Sequence, residues 1–466
     1  MGDGSPSDRM LGKGGINRSP GEGFSGMGRG HVMPVEDSSS SVSRRSWVSL
    51  VLLLVFQTQN AFNDNFVRFV VMGLAMAAAA GSMVGDNIEF ILATMITTPF
   101  ILLAPVAGYL SDRFSKRDVL LGCLFLQLAL FFLLAAAVAM RSVELAVFGF
   151  FLLAVQSTLF SPAKLGILKE LVGSRRLGFA NGLMSMLTMV GILAGMWVAG
   201  QWFDFLLAKY NAANGEAPDN AWRAALIPML GAGAASIFAI VLGFAVQRTP
   251  SHPDEPFSKT VPVRHFVHLR QLFADRTLRY TALFTTFYWF IANFLGLEFV
   301  QFAKELYPEA GKAGRMSATA SMLFAIGGGL MVGSTMVSIL SRHRIRISFA
   351  PLGGIGMALG LFGIGSIPPA SPGWYLSLGF LGFASGFYVV PLNAWIQDQA
   401  RDDHRARVIS ALNLMTSFSG VLAIVCGIVL KQAGLNASMQ VLLFGPAMLL
   451  VTWMLHRFLR HNAPSS

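Results

Sequence analysis

Twelve long apolar runs, separated by short polar breaks, constrain this chain more than any other feature of its sequence. They lie near residues 48–80, 88–110, 118–140, 145–165, 177–207, 224–246, 277–303, 317–341, 346–366, 374–397, 406–431 and 438–457. Each run reaches the roughly 20 residues that an α-helix needs to cross a bilayer. Strands of a membrane barrel would be about ten residues long with alternating polarity. The continuous runs therefore predict an all-α integral membrane protein with twelve transmembrane helices.

The low charge content of the chain agrees with burial in lipid. Only 13% of the residues are charged, whereas soluble domains average about 25%. This excludes a soluble enzyme, a secreted disulfide-stabilised domain and a soluble nucleic-acid-binding protein. The two cysteines, Cys123 and Cys426, lie inside apolar runs, so we expect them to pack as small hydrophobic residues.

The net charge of +11 is explained by where the basic residues fall. If the N-terminal tail is cytoplasmic, the inside segments hold 27 of the 35 Lys and Arg residues, and the outside loops hold 7. This asymmetry follows the positive-inside rule for membrane proteins. It predicts that both termini are cytoplasmic, and it removes the basic charge as an argument for a nucleic-acid partner.

The sequence carries an internal repeat. Sliding the chain on itself by 229 residues places Pro162 on Pro391 and Asp64 on Asn293. A Pro-rich break divides the spans six and six, so we expect two homologous halves with a substrate site near the midplane between them. The predicted domains are a disordered cytoplasmic tail (1–46), an N-terminal six-helix half (47–246), a cytoplasmic linker (247–276) and a C-terminal six-helix half (277–460).

A charged loop follows the second span. Its sequence, GYLSDRFSKR from Gly108 to Arg117, resembles the signature loop of the major facilitator superfamily. That resemblance implies a major facilitator fold with two pseudo-symmetric halves. It also implies a gating loop whose acid pairs with basic groups at a neighbouring helix end and releases them when the conformation changes. The gating residues would be Gly108, Asp112, Arg113, Lys116 and Arg117.

Four further strings narrow the resemblance: AFNDN in span one, SPAKLGILKEL after span four, ANGLM in span five and VVPLNA in span ten. They resemble the bacterial lysophospholipid transporter family, a branch of the same superfamily. Its members move lysophospholipids, chiefly lysophosphatidylethanolamine, across the bacterial inner membrane for re-acylation on the cytoplasmic face. The resemblance implies membrane lipid and a lysophospholipid as partners. It also implies a separate acyltransferase–acyl-carrier synthetase chain, because no His-x-x-x-x-Asp pair occurs in this sequence.

Polar residues inside the spans are the candidates for a substrate site, because ionisable groups in lipid are costly and usually face a cavity or a partner. Asp64 and Arg68 are four residues apart, so they share a helix face and can pair. A zwitterionic headgroup would offer an ammonium group to Asp64 and a phosphate to Arg68. The candidate transport residues are Asp64, Arg68, Asn65, Lys164, Asn181, Asn293, Glu298 and Asn393.

Two other functions stay open at this point. A proton-coupled exporter of drugs or other small amphiphiles needs a buried acid, and Asp64 or Glu298 could serve. A non-transporting scaffold for an acyltransferase would move no substrate. No paired acids, metal-ligand cluster, nucleophile–base set or phosphate loop points to an enzyme. We expect a monomer without cofactor or metal.

Overall fold

The computed structural model describes Met1 and residues 43–249, 269–270, 272–309, 313–341, 346–399 and 405–462. All secondary structure in this part of the chain is helical. The helices are α1 (Arg44–Ala78), α2 (Met83–Asp86), α3 (Ile88–Arg113), α4 (Lys116–Ala139), α5 (Val143–Gly173), α6 (Leu183–Asn214), α7 (Asp219–Ala245), α8 (Arg276–Leu306), α9 (Arg315–Leu340), α10 (Phe349–Ser366), α11 (Pro372–Gln399), α12 (Arg405–Gln432) and α13 (Ala437–Asn462).

Each predicted span coincides with one of the twelve long helices. Ten of these helices are long and apolar enough to cross a membrane. The polar residues in the middle of α1 lower its hydropathy, although it is 35 residues long. In α3 the stretch Ile88–Leu103 is apolar. The prediction of an all-helical membrane protein is confirmed.

The connection between α5 and α6 differs from the predicted loop. Helical structure runs from Val143 to Asn214 and is interrupted at Gly173, whose φ is 72° and ψ 172°. Glycine adopts this conformation without a steric penalty, so the chain kinks there. At the N-terminus, α1 begins at Arg44, two residues before the expected end of the tail at residue 46. Residues 2–42 of that tail, and residues 250–268 of the expected linker, lie outside the described residues.

The two halves, α1–α7 and α8–α13, repeat the same packing. In the first half α6 lies so close to α1 that a Cβ atom at Gly191 would be 2.5 Å from the Thr58 carbonyl oxygen. In the second half Gly420, the repeat partner of Gly191, places α12 beside α8 at Asn293. Pro162 and Pro391 both lie inside helices, α5 and α11.

Apolar packing between the halves concentrates at one end of the bundle. We call it the α2 end; it carries α2, the C-terminal ends of α1, α6, α8 and α12, and the N-terminal ends of α3 and α9. There the core of the first half includes Val300, Met316 and Ala320 of the second, and Phe90 packs on Leu297. At the opposite end, each buried cluster among the described residues draws on one half only.

Glycines allow a close approach between the halves at the α2 end and beyond it. A Cβ atom at Gly200 of α6 would lie 2.6 Å from the Met316 carbonyl oxygen of α9. At Gly327 of α9 it would lie 2.5 Å from the Leu193 side chain of α6. A larger residue at Gly200 would push α6 and α9 apart, whereas one at Gly327 would require the Leu193 side chain to move.

Candidate functional site

A cavity of about 240 Å³ lies between the two halves. Helices α1, α3 and α6 line it from the first half, and α8, α9 and α12 line it from the second. Most of the lining is apolar, which suits a ligand with a hydrocarbon part. The polar lining residues are Asn65, Arg68, Thr97, Asn293 and Thr319.

Arg68 is the charged residue of this lining. Its Nε atom is buried without a hydrogen-bond partner, and no ion pair joins its guanidinium group to any described residue. The polar groups around it are bound to their own helices: Asn65 Nδ2 donates to the Ala61 carbonyl at 2.9 Å, and Asn293 Nδ2 donates to the Trp289 carbonyl at 2.7 Å. Among its described lining residues, the cavity therefore presents one cation that lacks an ion-pair partner.

Asp64 lies outside the cavity lining and does not pair with Arg68, contrary to the possibility that their spacing suggested. Its carboxylate accepts hydrogen bonds from Asn60 Nδ2 at 3.2 Å, Gln127 Nε2 at 3.3 Å and Ser157 Oγ at 2.5 Å. These three donors hold the carboxylate toward α4 and α5, while Arg68, one turn further along α1, reaches the cavity. The Asp64 carboxylate also interacts electrostatically with Lys164.

The network around Asp64 continues through the first half. Gln127 Nε2 also donates to Asn60 Oδ1 at 3.0 Å, and Ser236 Oγ donates to Gln127 Oε1 at 3.3 Å. Asn63 Nδ2 donates to Ser236 Oγ at 3.0 Å and to the Ala232 carbonyl at 3.1 Å. Polar side chains thus tie α1, α4, α5 and α7 together. Sequence reasoning missed Gln127 and Ser236, which are isolated polar residues in apolar spans.

The remaining transport candidates do not share the cavity. Glu298 is fully buried on α8, and neither carboxylate oxygen has a hydrogen-bond partner among the described residues. Asn393, near the end of α11, is also outside the lining. The side chain of Asn181 lies outside the described residues. Of the eight candidates, the structure brings Asn65, Arg68 and Asn293 together.

The predicted gating loop is anchored to its own half. Lys116 forms an ion pair with Glu170 near the end of α5. A Cβ atom at Gly166 would lie 2.7 Å from Lys116 Cε, so this glycine leaves room for the lysine side chain. Glu170 and Gly166 belong to the SPAKLGILKEL string, but sequence reasoning gave neither a role.

Other residues of the loop bind locally as well. Arg117 Nη2 donates to the Phe244 carbonyl at 2.8 Å, and Arg113 Nη1 donates to the Tyr109 hydroxyl at 2.5 Å. A Cβ atom at Gly108 would meet no described atom within 4 Å, so this glycine makes no close helix contact in this conformation. The side chain of Asp112 lies outside the described residues.

A buried ionic cluster joins the halves at the α2 end. Glu89 of α3 is 1% exposed. It accepts hydrogen bonds from Lys304 Nζ at 2.8 and 3.0 Å and from Gln301 Nε2 at 2.6 Å, both on α8. Lys431 of α12 lies 3.8 Å from the same carboxylate and donates to the Asp86 carbonyl at 3.0 Å. We call Glu89, Gln301, Lys304 and Lys431 the α2-end lock.

A second polar contact joins the halves nearby. Asp204 of α6 is buried, and its carboxylate accepts a hydrogen bond from the Ser317 backbone N–H of α9 at 2.7 Å. The backbone N–H groups of Gly314 and Met316 also contribute favourably to the electrostatic environment of this carboxylate. A carboxylate at a helix N-terminus is favoured by the unpaired N–H groups and the helix dipole. Asp204 therefore caps α9 from the opposite half.

Comparison with known proteins agrees with the two-half architecture. A family model described as Major Facilitator Superfamily matches residues 61–424. The chain belongs to the Major Facilitator Superfamily. As a superfamily member it is a multi-pass membrane protein with a transporter fold, so the predicted fold is confirmed.

The chain is similar to curated transporters in sequence and to solved transporters in fold. The lysophospholipid transporter LplT of Cronobacter sakazakii is 28% identical over 355 residues, which cover 76% of this chain and 81% of the relative. The LplT protein of Yersinia pestis (strain Pestoides F) is equally similar, with 79% of the relative covered. A bacterial homologue of the human lysosomal transporter Spinster, solved in an inward-facing and unoccupied conformation, has a TM-score of 0.61 at 15% identity, covering 90% of this chain and 94% of that one. The peptide transporter POT in complex with sulfate has a TM-score of 0.64 at 13% identity, covering 89% and 94%.

Proposed function

We propose that the protein moves lysophospholipids across the bacterial inner membrane by rocking its two halves about the cavity. The cavity carries this proposal, because it combines the guanidinium group of Arg68, which forms no ion pair with a described residue, with apolar residues from both halves. A lysophospholipid offers a phosphate to the guanidinium group and an acyl chain to the apolar residues. The name of the similar LplT proteins supports the same substrate class.

The distribution of contacts suggests which side is closed. Among the described residues, the ionic and apolar contacts between the halves concentrate at the α2 end. With both termini cytoplasmic, as the basic residues predict, the α2 end is periplasmic. We infer that this conformation is closed to the periplasm and open toward the cytoplasm, and that breaking the α2-end lock exposes the cavity to the outer leaflet.

The candidate residues receive different roles in this proposal. Arg68, Asn65 and Asn293 contact the headgroup. Asp64, with Lys164 nearby, stabilises the first half so that Arg68 is presented to the cavity. Lys116 and Arg117 fix the gating loop to the first half so that it moves as one body. A separate acyltransferase would consume the lysophospholipid on the cytoplasmic side.

The test uses purified protein in vesicles with a labelled lysophospholipid in the outer leaflet. We expect protein-dependent movement of the label to the inner leaflet, and we expect Arg68→Gln to slow it. Arg141→Gln is the matched control, because Arg141 pairs with Asp219 at 2.9 Å on an exposed loop far from the cavity lining. A folded protein that leaves the label in place would refute transport and favour the scaffold role.

A proton-coupled exporter of small amphiphiles is the second candidate, and Glu298 is the observation that favours it. A carboxyl group that is fully buried without hydrogen-bond partners among the described residues is the kind of group that carries protons in membrane transporters. This candidate predicts transport driven by a pH gradient and abolished by Glu298→Gln. Transport that does not depend on the pH gradient would exclude the proton-coupled exporter.

A further inference from the structure

We propose that the cavity selects lysophospholipids whose headgroup is a net anion, such as lysophosphatidylglycerol, over zwitterionic ones such as lysophosphatidylethanolamine. This inference rests on the proposed function and names the substrate class of the same site. It departs from the zwitterionic headgroup that the sequence suggested, in which Asp64 would have bound an ammonium group.

The charges of the cavity lining are the first reason to expect a preference for anionic headgroups. Arg68 is its one charged residue within the described part of the chain, and the other polar lining groups are amides and hydroxyls. The lining contains no described carboxylate. The cavity is therefore positive before a ligand enters, and an anion neutralises it.

The acids near the cavity cannot take the place of a lining carboxylate. Asp64 already accepts three hydrogen bonds from its own half and interacts with the charge of Lys164. Glu298 is fully buried and does not reach the lining. An ammonium group in this cavity would meet Arg68 and no counter-charge, so a zwitterion would leave the site positive.

The lack of hydrogen-bond and ion-pair partners for Arg68 among the described residues is the second reason. Its Nε atom is removed from solvent and has no partner, which costs free energy unless a ligand supplies an acceptor. A phosphodiester offers the pair of oxygens that a planar guanidinium group binds best. Binding of the phosphate would neutralise the charge of the Arg68 guanidinium group.

The neutral polar groups of the lining are the third reason. The side-chain amides of Asn65 and Asn293 donate to their own helices, and so do the hydroxyls of Thr97 and Thr319. Their oxygens remain available as acceptors. Hydroxyl groups on the headgroup, as in glycerol, can donate to these acceptors without bringing a charge.

Vesicles that contain the protein provide the test. Movement of labelled lysophosphatidylglycerol and labelled lysophosphatidylethanolamine is measured separately and in competition. We expect the anionic lipid to be preferred by roughly tenfold or more, the size of a charge-assisted contact. Arg68→Gln should abolish the preference, and Arg68→Lys, which keeps the charge but not the planar fork, should retain part of it. Arg141→Gln should retain it fully, which controls for general attraction of anionic lipid to a basic protein.

The outcomes separate this inference from the function on which it rests. If the protein moves neither lipid, the proposed function fails. If it moves both equally, or prefers the zwitterion, transport stands and anionic selection is refuted. A preference that survives in folded Arg68→Gln would also refute it, because another group would then set the selectivity. If Arg68→Gln does not fold, the Arg68→Lys variant and the wild-type competition decide.

Discussion

The α2-end lock makes a quantitative prediction about the equilibrium between the two conformations. Glu89 is almost completely buried, and its partner Lys304 is only 17% exposed at the side chain. Replacing Glu89 by Gln removes the negative charge but keeps the shape of the side chain. We expect the variant to open at the α2 end far more often than the wild type.

The magnitude follows from the burial of the pair. Removing one partner of a fully buried ion pair costs about 3–5 kcal/mol. Because Lys304 keeps a hydrogen bond to the Asp86 carbonyl at 2.9 Å, and the Gln amide oxygen can still accept, we take about 2–3 kcal/mol here. Both groups are hydrated once the halves separate, so the whole penalty falls on the closed conformation. The open population should rise roughly 30- to 150-fold.

Cysteine labelling measures that population. Ala93 lies on α3 one turn beyond Glu89 and lines the cavity. A single cysteine is placed there after Cys123 and Cys426 are replaced by Ala. A membrane-impermeant maleimide applied from the α2 side reacts only when that end opens. The labelling rate should increase by the factor given above when Glu89→Gln is added.

A matched control comes from the same region. Glu305 accepts a hydrogen bond from the Ala437 backbone N–H at 2.9 Å within the second half. Glu305→Gln should leave the labelling rate unchanged, because this contact does not join the halves. A labelling rate for Glu89→Gln equal to that of the wild type would refute the reasoning and show that the lock does not hold the α2 end closed.

Three further substitutions test other contacts. Gly200→Leu should raise the α2-side labelling rate, because a Cβ atom at this position would lie 2.6 Å from the Met316 carbonyl oxygen. Gly122→Leu is the control and should leave the rate unchanged, because a Cβ atom there meets no described atom within 4 Å. Equal labelling rates for the two variants would contradict this prediction. Asp204→Asn weakens the cap on α9 by about 1 kcal/mol, so the α2-side labelling rate should rise about fivefold. An unchanged labelling rate would mean that the cap does not favour the closed conformation. Asp64→Ala removes the acceptor shared by Asn60, Gln127 and Ser157, and we expect a loss of about 2 kcal/mol or more in the free energy of unfolding in detergent. A variant as stable as the wild type would show that these hydrogen bonds contribute nothing to stability.

The spans could be predicted from the sequence because length and hydropathy alone determine where a helix crosses lipid. The predicted span 346–366 and the observed α10, Phe349–Ser366, show how closely the two agree. The kink at Gly173 could not be predicted. Its surroundings are polar and contain further glycines and basic residues, and the same composition is typical of a loop.

The contacts between helices lay beyond the sequence. Glu89 and Lys304 are 215 positions apart, and nothing in either local pattern identifies the other as its partner. The spacing of Asp64 and Arg68 predicted that they share a face of α1 and can pair, but donors on α4 and α5 hold the carboxylate away from the cavity that Arg68 lines. The spacing of two residues determines the relative directions of their side chains around a helix. The neighbouring helices determine which partners those side chains bind.

The glycine contact between α6 and α9 has a mechanical consequence. At Gly200 the backbone of α9 comes close to α6, and at Gly327 the Leu193 side chain of α6 fits against α9, so small residues set how closely the halves approach. The activation barrier of rocking then includes the separation of these apolar contacts as well as the loss of the polar contacts at the α2 end. A single charged residue can therefore adjust the turnover rate while the hydrophobic core of each half stays intact.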